Sequence, residues 1–140
     1  MIVLDTDHLS CLEWGSPESA RLRERLAEVP GDSVFVSIIS YEEQMRGWLA
    51  HLAGNCSLDR QVRIYAQLRR HLQTYCSIPI LDFTSDAAER FEDLRRQRLR
   101  VGTMDLRIAA ICLTRQALLL TRNTKDFERV PGLQIADWTN

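Results

Sequence analysis

The sequence predicts an α/β protein, with a central parallel sheet of four or five strands and helices on both faces, forming a three-layer sandwich built as one domain over residues 1–140. Two observations carry this. Short apolar runs, rich in β-branched residues near the N-terminus, alternate with longer segments of helical periodicity, the pattern of parallel strands joined by helical crossovers. A chain of 140 residues holds one hydrophobic core and little more, and no repeat, linker or low-complexity tract divides it.

Ile2–Leu4 is continuously apolar, as expected of a strand covered on both faces. The segment HLSCLEW follows as a short helix with Asp7 as its N-cap. Ser16 and Pro17 read as the N-cap and first position of a second helix through about Val29, with Leu22, Leu26 and Val29 at helical spacing. Pro30, Gly31 and Asp32 make a turn, and Ser33–Ser37 a second strand. A helix opens at Ser40, where Ser40 and Glu43 fit a capping box, and Gly54 and Asn55 stop it. From Leu58 to Tyr75 a long helix presents Val62, Tyr65, Leu68, Leu72 and Tyr75 as its apolar side. Ile78–Leu81 is a third strand, Thr84 to about Leu99 a helix, and Thr103 to about Arg115 another with Thr103 as cap. Ala117–Leu120 is the fourth strand and Leu133–Ala136 the candidate fifth.

With 45% apolar and 26% charged residues the chain is expected to fold rather than stay disordered. It has no apolar run near the roughly 18 residues that span a bilayer and no basic leader, so the expected location is the cytoplasm, with no membrane partner. Cys11, Cys56, Cys76 and Cys112 lack paired spacing and read as reduced thiols. His8, His51 and His71 show no metal-ligand spacing and read as surface or capping residues. Trp14, Trp48 and Trp138 sit at helix and chain ends, where packing is the commoner use and stacking on bases the alternative. Every basic residue but Lys125 is arginine, which suits phosphate recognition and equally follows from a GC-rich coding sequence. The cluster RRQRLR at 95–100, with Arg107 beyond, fits either an electrostatic track or a helix face paired with Glu89, Glu92 and Asp93.

The acids hold the chemistry. Parallel sheets bind ligands beyond the carboxyl ends of their strands, which places Asp5 and Asp7 on the same rim as residues after the second and fourth strands. Asp7, Glu43 and Asp105 each have a helix-capping or helix-dipole explanation, and Asp126 reads alone as a loop acid. Asp5, ending a wholly apolar strand, has none. Carboxylates gathered within about 4 Å repel by on the order of 4 kcal/mol per pair at an effective dielectric near 20. A divalent cation relieves that, and oxygen donors without partnered His or Cys point to Mg²⁺ or Mn²⁺.

Four ordered stretches, LDTDHLS, VSIISYEEQMRG, GTMDLRIAA and LLLTRNTKDFERVPGLQIADW, resemble the motifs of PIN-domain ribonucleases, most nearly the VapC-type toxins of bacterial toxin–antitoxin pairs. The likeness runs from residue 2 to residue 138. It implies a small α/β/α sandwich in which Asp5, Glu43 and Asp105 hold Mg²⁺ or Mn²⁺. Asn123 stands where some relatives have Asp, which leaves Asp126 as the nearest fourth acid, to hold a second ion or orient water. Thr6, Asp7, Thr121 and Asn123 fall where substrate is positioned, Asp7 replacing the Asn of many relatives. The resemblance further implies hydrolysis of RNA to 5′-phosphate and 3′-hydroxyl ends, a homodimer, and a cognate antitoxin that blocks the acidic site.

Two other readings compete. A haloacid-dehalogenase-like phosphatase also has D-x-D after its first strand, but it wants a lysine beside a later acidic pair, and the only lysine is Lys125, with no downstream D-D. A non-catalytic PIN interaction module would have no use for carboxylates that repel one another.

Overall fold

The computed structural model describes residues 1–140. Strands β1 (Ile2–Leu4), β2 (Val34–Ser37), β3 (Ile80–Leu81), β4 (Leu118–Leu120) and β5 (Gln134–Ala136) pair in parallel in the order β3-β2-β1-β4-β5. Val3 is in register with Phe35 and Leu119, and Leu4 with Val36 and Leu120. Because successive strand side chains point to opposite faces, Val3, Leu119 and Ile135 enter one apolar cluster while Ile2, Leu4, Val36 and Leu120 enter the other.

Seven helices cover the sheet: α1 (Thr6–Trp14), α2 (Pro17–Ala27), α3 (Ile38–Ala53), α4 (Leu58–Ser77), α5 (Ser85–Arg96), α6 (Thr103–Arg115) and the single-turn α7 (Thr124–Phe127). Leu9, Cys11, Leu22 and Tyr75 of α1, α2 and α4 pack on one face, and Phe91, Leu94, Leu106 and Ile108 of α5 and α6 on the other. The sheet grows from β1 to β3 in one direction; the chain then returns through α5 and α6 to lay β4 on the opposite side of β1. That reversal puts the crevice of the fold beyond the ends of β1 and β4, where Asp5 and Thr121 follow.

The differences from expectation have local causes. β2 starts at Val34 because Gly31–Ser33 coils into a 3₁₀ turn. The following helix starts at Ile38, two residues early, because the Ser37 side chain accepts from the Ser40 amide at 3.1 Å; the box between Ser40 and Glu43 does not form. β3 keeps two residues, since Ile78 ends α4. α5 stops at Arg96, and Arg98 and Arg100 take left-handed φ values of 53° and 59° that no helix accommodates. Gly102, rather than Thr103, precedes α6 as its cap. On α4 the buried positions are Ile64, His71 and Tyr75, while Val62, Tyr65 and Leu72 face outward. No helix is long and apolar enough to cross a membrane.

Candidate active site

Asp5 is the N-cap of α1, a role the sequence pattern assigned to Asp7. The apolar strand ends in an acid because the chain turns directly from β1 into a helix, whose first amides need an acceptor. One Asp5 oxygen accepts from the Thr6 amide at 2.8 Å and the other from the Thr121 hydroxyl at 2.8 Å, so β4's exit grips β1's. The carboxylate is only 6% exposed. Burial, and then the nearby Asp7, outweigh those two bonds and push its pKa up to about 7.

Glu43 comes from the second turn of α3, and its Oε1 accepts from the Thr6 hydroxyl at 3.2 Å. Thr6 also reaches the buried Ser40 hydroxyl at 3.0 Å, locking α1 to α3 beside Asp5. Asp105 stands in the first turn of α6. Asn123 donates to Asp105 at 3.3 Å and to Asp126 at 3.1 Å, so the two acids share one amide donor. Burial raises the pKa of Glu43 and of Asp105; Asp105 adds to the first, Asp126 and Asp7 to the second. The repulsions link all five predicted acids into one field at the rim. Asp5, Glu43 and Asp105 have no ion pair to offset it, whereas Asp126 meets Arg129 at 3.5 Å.

Asp7 serves the frame of the site. One oxygen accepts from the Arg122 amide at 3.1 Å, and the other lies 3.0 Å from His8 Nδ1. His8 Nε2 accepts from the Trp138 amide, which leaves the ring proton on Nδ1 facing Asp7. Thr121 and Asn123 are joined, the Asn123 amide donating to the Thr121 hydroxyl at 3.0 Å. All eight residues singled out from the sequence are thus tied, by hydrogen bond or repulsion, to the same rim.

The carboxylates do not close around one point: no three acidic, histidine or cysteine side chains are arranged to hold a metal ion. Packing keeps Asp5 on the Thr6 amide and Thr121, Glu43 on Thr6, and Asp105 on Asn123. The donor set nevertheless fits a hard cation in kind, being oxygen-only, concentrated and without basic partners.

Sequence reading missed two buried histidines, His8 and His71. His71 lies between the Trp48 indole, which donates to its Nε2, and Glu13, whose Oε1 accepts from its Nδ1 at 3.3 Å. His71 has no local signal, because Trp48 and Glu13 lie far along the chain; His8 pairs with its neighbour Asp7, but the Trp138 amide that fixes its other nitrogen is 130 residues away. The arginine cluster divides: Arg95 pairs with Glu92 and Arg96 with Asp93, Arg107 rests over the Phe91 ring, and Arg98 and Arg100 form no ion pair. Of the thiols, Cys11 and Cys112 are buried in helices, and no disulfide forms.

The chain is 28% identical over 138 residues to ribonuclease VapC1 of Haemophilus influenzae strain R2866, covering 98% of this chain and 97% of that one. Its fold matches that of a chain in a toxin–antitoxin complex from Klebsiella pneumoniae, with a TM-score of 0.69, 27% identity and coverage of 97% and 96%. It also matches a chain of DNA-bound VapBC from Salmonella typhimurium, with a TM-score of 0.71, 25% identity and coverage of 98% and 97%. The sequence profile of the PIN domain spans residues 2–133, from the strand that delivers Asp5 to the threshold of β5, and the chain therefore belongs to the PIN-domain family.

Proposed function

We propose that the protein is a metal-dependent endoribonuclease and the toxin of a toxin–antitoxin pair. The observation that carries this reading is the set of half-buried and buried carboxylates, Asp5, Glu43 and Asp105, held on one rim with raised pKa values and no cationic partner. A structural role alone gives no reason to keep such repulsion. The relatives named as a ribonuclease and as members of toxin–antitoxin complexes support it.

Asp5, Glu43 and Asp105 would hold Mg²⁺ or Mn²⁺, with Asp126 beside them; in the metal-free site Thr6 orients Glu43 and Asn123 orients Asp105. When bound, the ion lowers the pKa of a coordinated water and neutralises charge growing on the phosphate. Thr121 fixes Asp5 from behind and Asp7 fixes the Arg122 amide, so the loop after β4 is stiff where the phosphate is to be positioned. Asn123 keeps Asp126 turned toward Asp105, in place to orient the attacking water and accept its proton. The water oxygen bonds to phosphorus, the bond to the 3′-oxygen breaks, that oxygen takes a proton from solvent while Asp126 releases its own to solvent, and the products carry a 5′-phosphate and a 3′-hydroxyl. Arg98 and Arg100, exposed and unpaired, supply the RNA's electrostatic track.

The antitoxin and a second copy of the chain need surface to bind. Ile38, Tyr41, Met45 and Leu49 line an apolar groove along α3, and Leu58, Val62, Tyr65 and Leu72 form an exposed stripe on α4. Both support association with protein partners. The haloacid-dehalogenase alternative gains nothing, since Lys125 on α7 forms no ion pair with any carboxylate and the relatives are named ribonucleases. RNA cleavage by purified wild type in Mg²⁺ tests the proposal: Asp5→Asn and Asp105→Asn are expected to be inactive, and equal activity in all three would identify a contaminant.

A further inference from the structure

A cleft of about 370 Å³ opens from the acidic rim, which it shares at Thr6 and Glu43, and extends away from it. Thr6, Ser10 and Trp14 come from one side of α1, at spacings of four residues; Glu43, Gln44, Gly47, Trp48 and His51 come from one side of α3. The cleft therefore runs from Thr6 and Glu43 along both helices to Trp14 and His51, about 12 Å at 1.5 Å per residue. His71 of α4 closes it.

We propose that this cleft is a nucleobase subsite, taking the base of the nucleotide next to the scissile phosphate, so that its lining sets which RNA sequence is cut. The inference rests on the nuclease reading given above. Three features carry it. First, the aromatic wall is fixed and has spent its polar groups internally. The Trp48 indole donates to His71, and His71 donates to Glu13, a carboxylate whose side chain is 4% exposed. Trp48 and His71 thus line the cleft with their ring nitrogens already engaged, leaving them to offer apolar and π contacts, and Trp14 stands 54% exposed at the far end.

Second, the carboxamide of Gln44 is oriented. Its Oε1 accepts from the Tyr75 hydroxyl at 2.6 Å, its Nε2 donates to Ser10 at 3.2 Å, and each keeps one unused hydrogen-bonding position. The buried Tyr75 hydroxyl stays protonated, its pKa raised by burial, so the amide cannot turn over without losing that donor. A stacking wall beside an oriented amide reads a base edge, since an amide offers one donor and one acceptor in fixed order.

Third, Gly47 sits in the interior of α3, where glycine weakens a helix relative to alanine. A Cβ built there meets nothing within 4 Å, so the fold does not demand glycine. An occupant lying close against the backbone does. The cleft is lined by no lysine or arginine, which disfavours a phosphate inside it, while Arg70 over the Trp14 ring and Arg60 beside His51 flank its outer end for the neighbouring backbone.

The test is cleavage in Mg²⁺ of a short, fully randomised RNA pool by wild type, Gly47→Leu, Trp14→Ala and Asp5→Asn, with sequencing of the ends. Wild type is expected to favour one base beside the cut. Gly47→Leu, whose side chain enters the cleft, should erase that preference and lower kcat/KM on the favoured sequence about ten- to a hundredfold, the worth of one base stack, mainly through KM. Its melting temperature should equal or exceed wild type's, and Trp14→Ala should weaken the preference in the same direction. An unchanged base preference in Gly47→Leu overturns the subsite and leaves the nuclease reading intact. Unchanged preference with lost binding of the partner protein also overturns it, and assigns the cleft to that protein. If wild type cuts no better than Asp5→Asn, the nuclease reading fails and the subsite falls with it.

Discussion

Asp5 is doubly bonded and still poorly placed as an anion. Its two hydrogen bonds lower its pKa, but burial and Asp7 win, and the value rises from 3.8 to about 7. An acid that binds its proton more tightly when folded contributes stability that is complete below the unfolded pKa and is lost as pH rises through the folded one. For Asp5 the loss begins near pH 4 and is complete just above pH 7, and is at most on the order of 4 kcal/mol at 1.36 kcal/mol per pKa unit. Glu43 and Asp105 shift in the same direction. The metal-free protein should therefore melt at a higher temperature at pH 5 than at pH 8, and Asp5→Asn should remove most of that difference; a wild-type melt that rises with pH contradicts the burial account. Thr121→Val takes away the hydroxyl on which Asp5 leans. Its cost should be about 1–3 kcal/mol in chemical denaturation, larger at pH 8 than at pH 5, where the carboxyl is protonated. Asp5 was legible in the sequence as a carboxylate closing an apolar strand, whereas Glu43 and Asp105, each with a helix-cap or dipole use, were singled out by the resemblance. The burial of His71 was not legible: its partner Glu13 lies 58 residues away, and nothing local distinguishes a buried histidine from a surface one. His71→Leu strands that carboxylate and should cost about 3–5 kcal/mol, against a smaller loss for Glu13→Gln.

Among the elements, all five strands were legible, since each is a brief apolar run that side-chain alternation sorts onto two helical layers. Helix starts were less so, for the choice among neighbouring serines depends on which hydroxyl faces a free amide. Ser37 wins over Ser40 because the chain leaves β2 extended and coils at once, and Ser40, buried a turn further on, is taken by Thr6. Ser37→Ala should therefore destabilise the protein by about 1 kcal/mol in urea unfolding, the worth of a lost cap. A null result would mean the amide of Ser40 finds another acceptor. The α4 helix was assigned its buried face only in part, for a related reason. Periodicity identified an apolar stripe at Val62, Tyr65, Leu68, Leu72 and Tyr75, of which Tyr75 packs inward and Leu68 is half-buried, but the rest of the buried stripe runs through Ile64 and His71, with a polar residue in its middle. Hydropathy counts against His71 where its hydrogen bonds to Glu13 and Trp48 count for it.

At the scale of the whole molecule, the sheet order decides where charge accumulates. Laying β4 against β1 brings Thr121 to Asp5, and the loop beyond β4 then carries Asn123 and Asp126 to the first turn of α6. The net charge of −1 conceals this, because the arginines lie on outer helix faces and the acids converge. Such an arrangement is least favourable at a pH where every carboxylate is ionised, and a cation that binds only the folded state must then stabilise it by mass action. At a hundred times its Kd the gain is about 2.7 kcal/mol, which for a chain of this size raises Tm by on the order of 10 °C. Thermal melts at pH 8 with increasing Mg²⁺ or Mn²⁺ should show that rise, saturating with concentration. The rise should shrink at pH 5, where protons occupy the same oxygens, and vanish in Asp105→Asn. Ca²⁺, larger and less demanding in geometry, provides the comparison. A wild-type Tm indifferent to all three ions would mean that the open arrangement of these carboxylates does not close on a metal, and hydrolysis by this rim would then have to proceed without one.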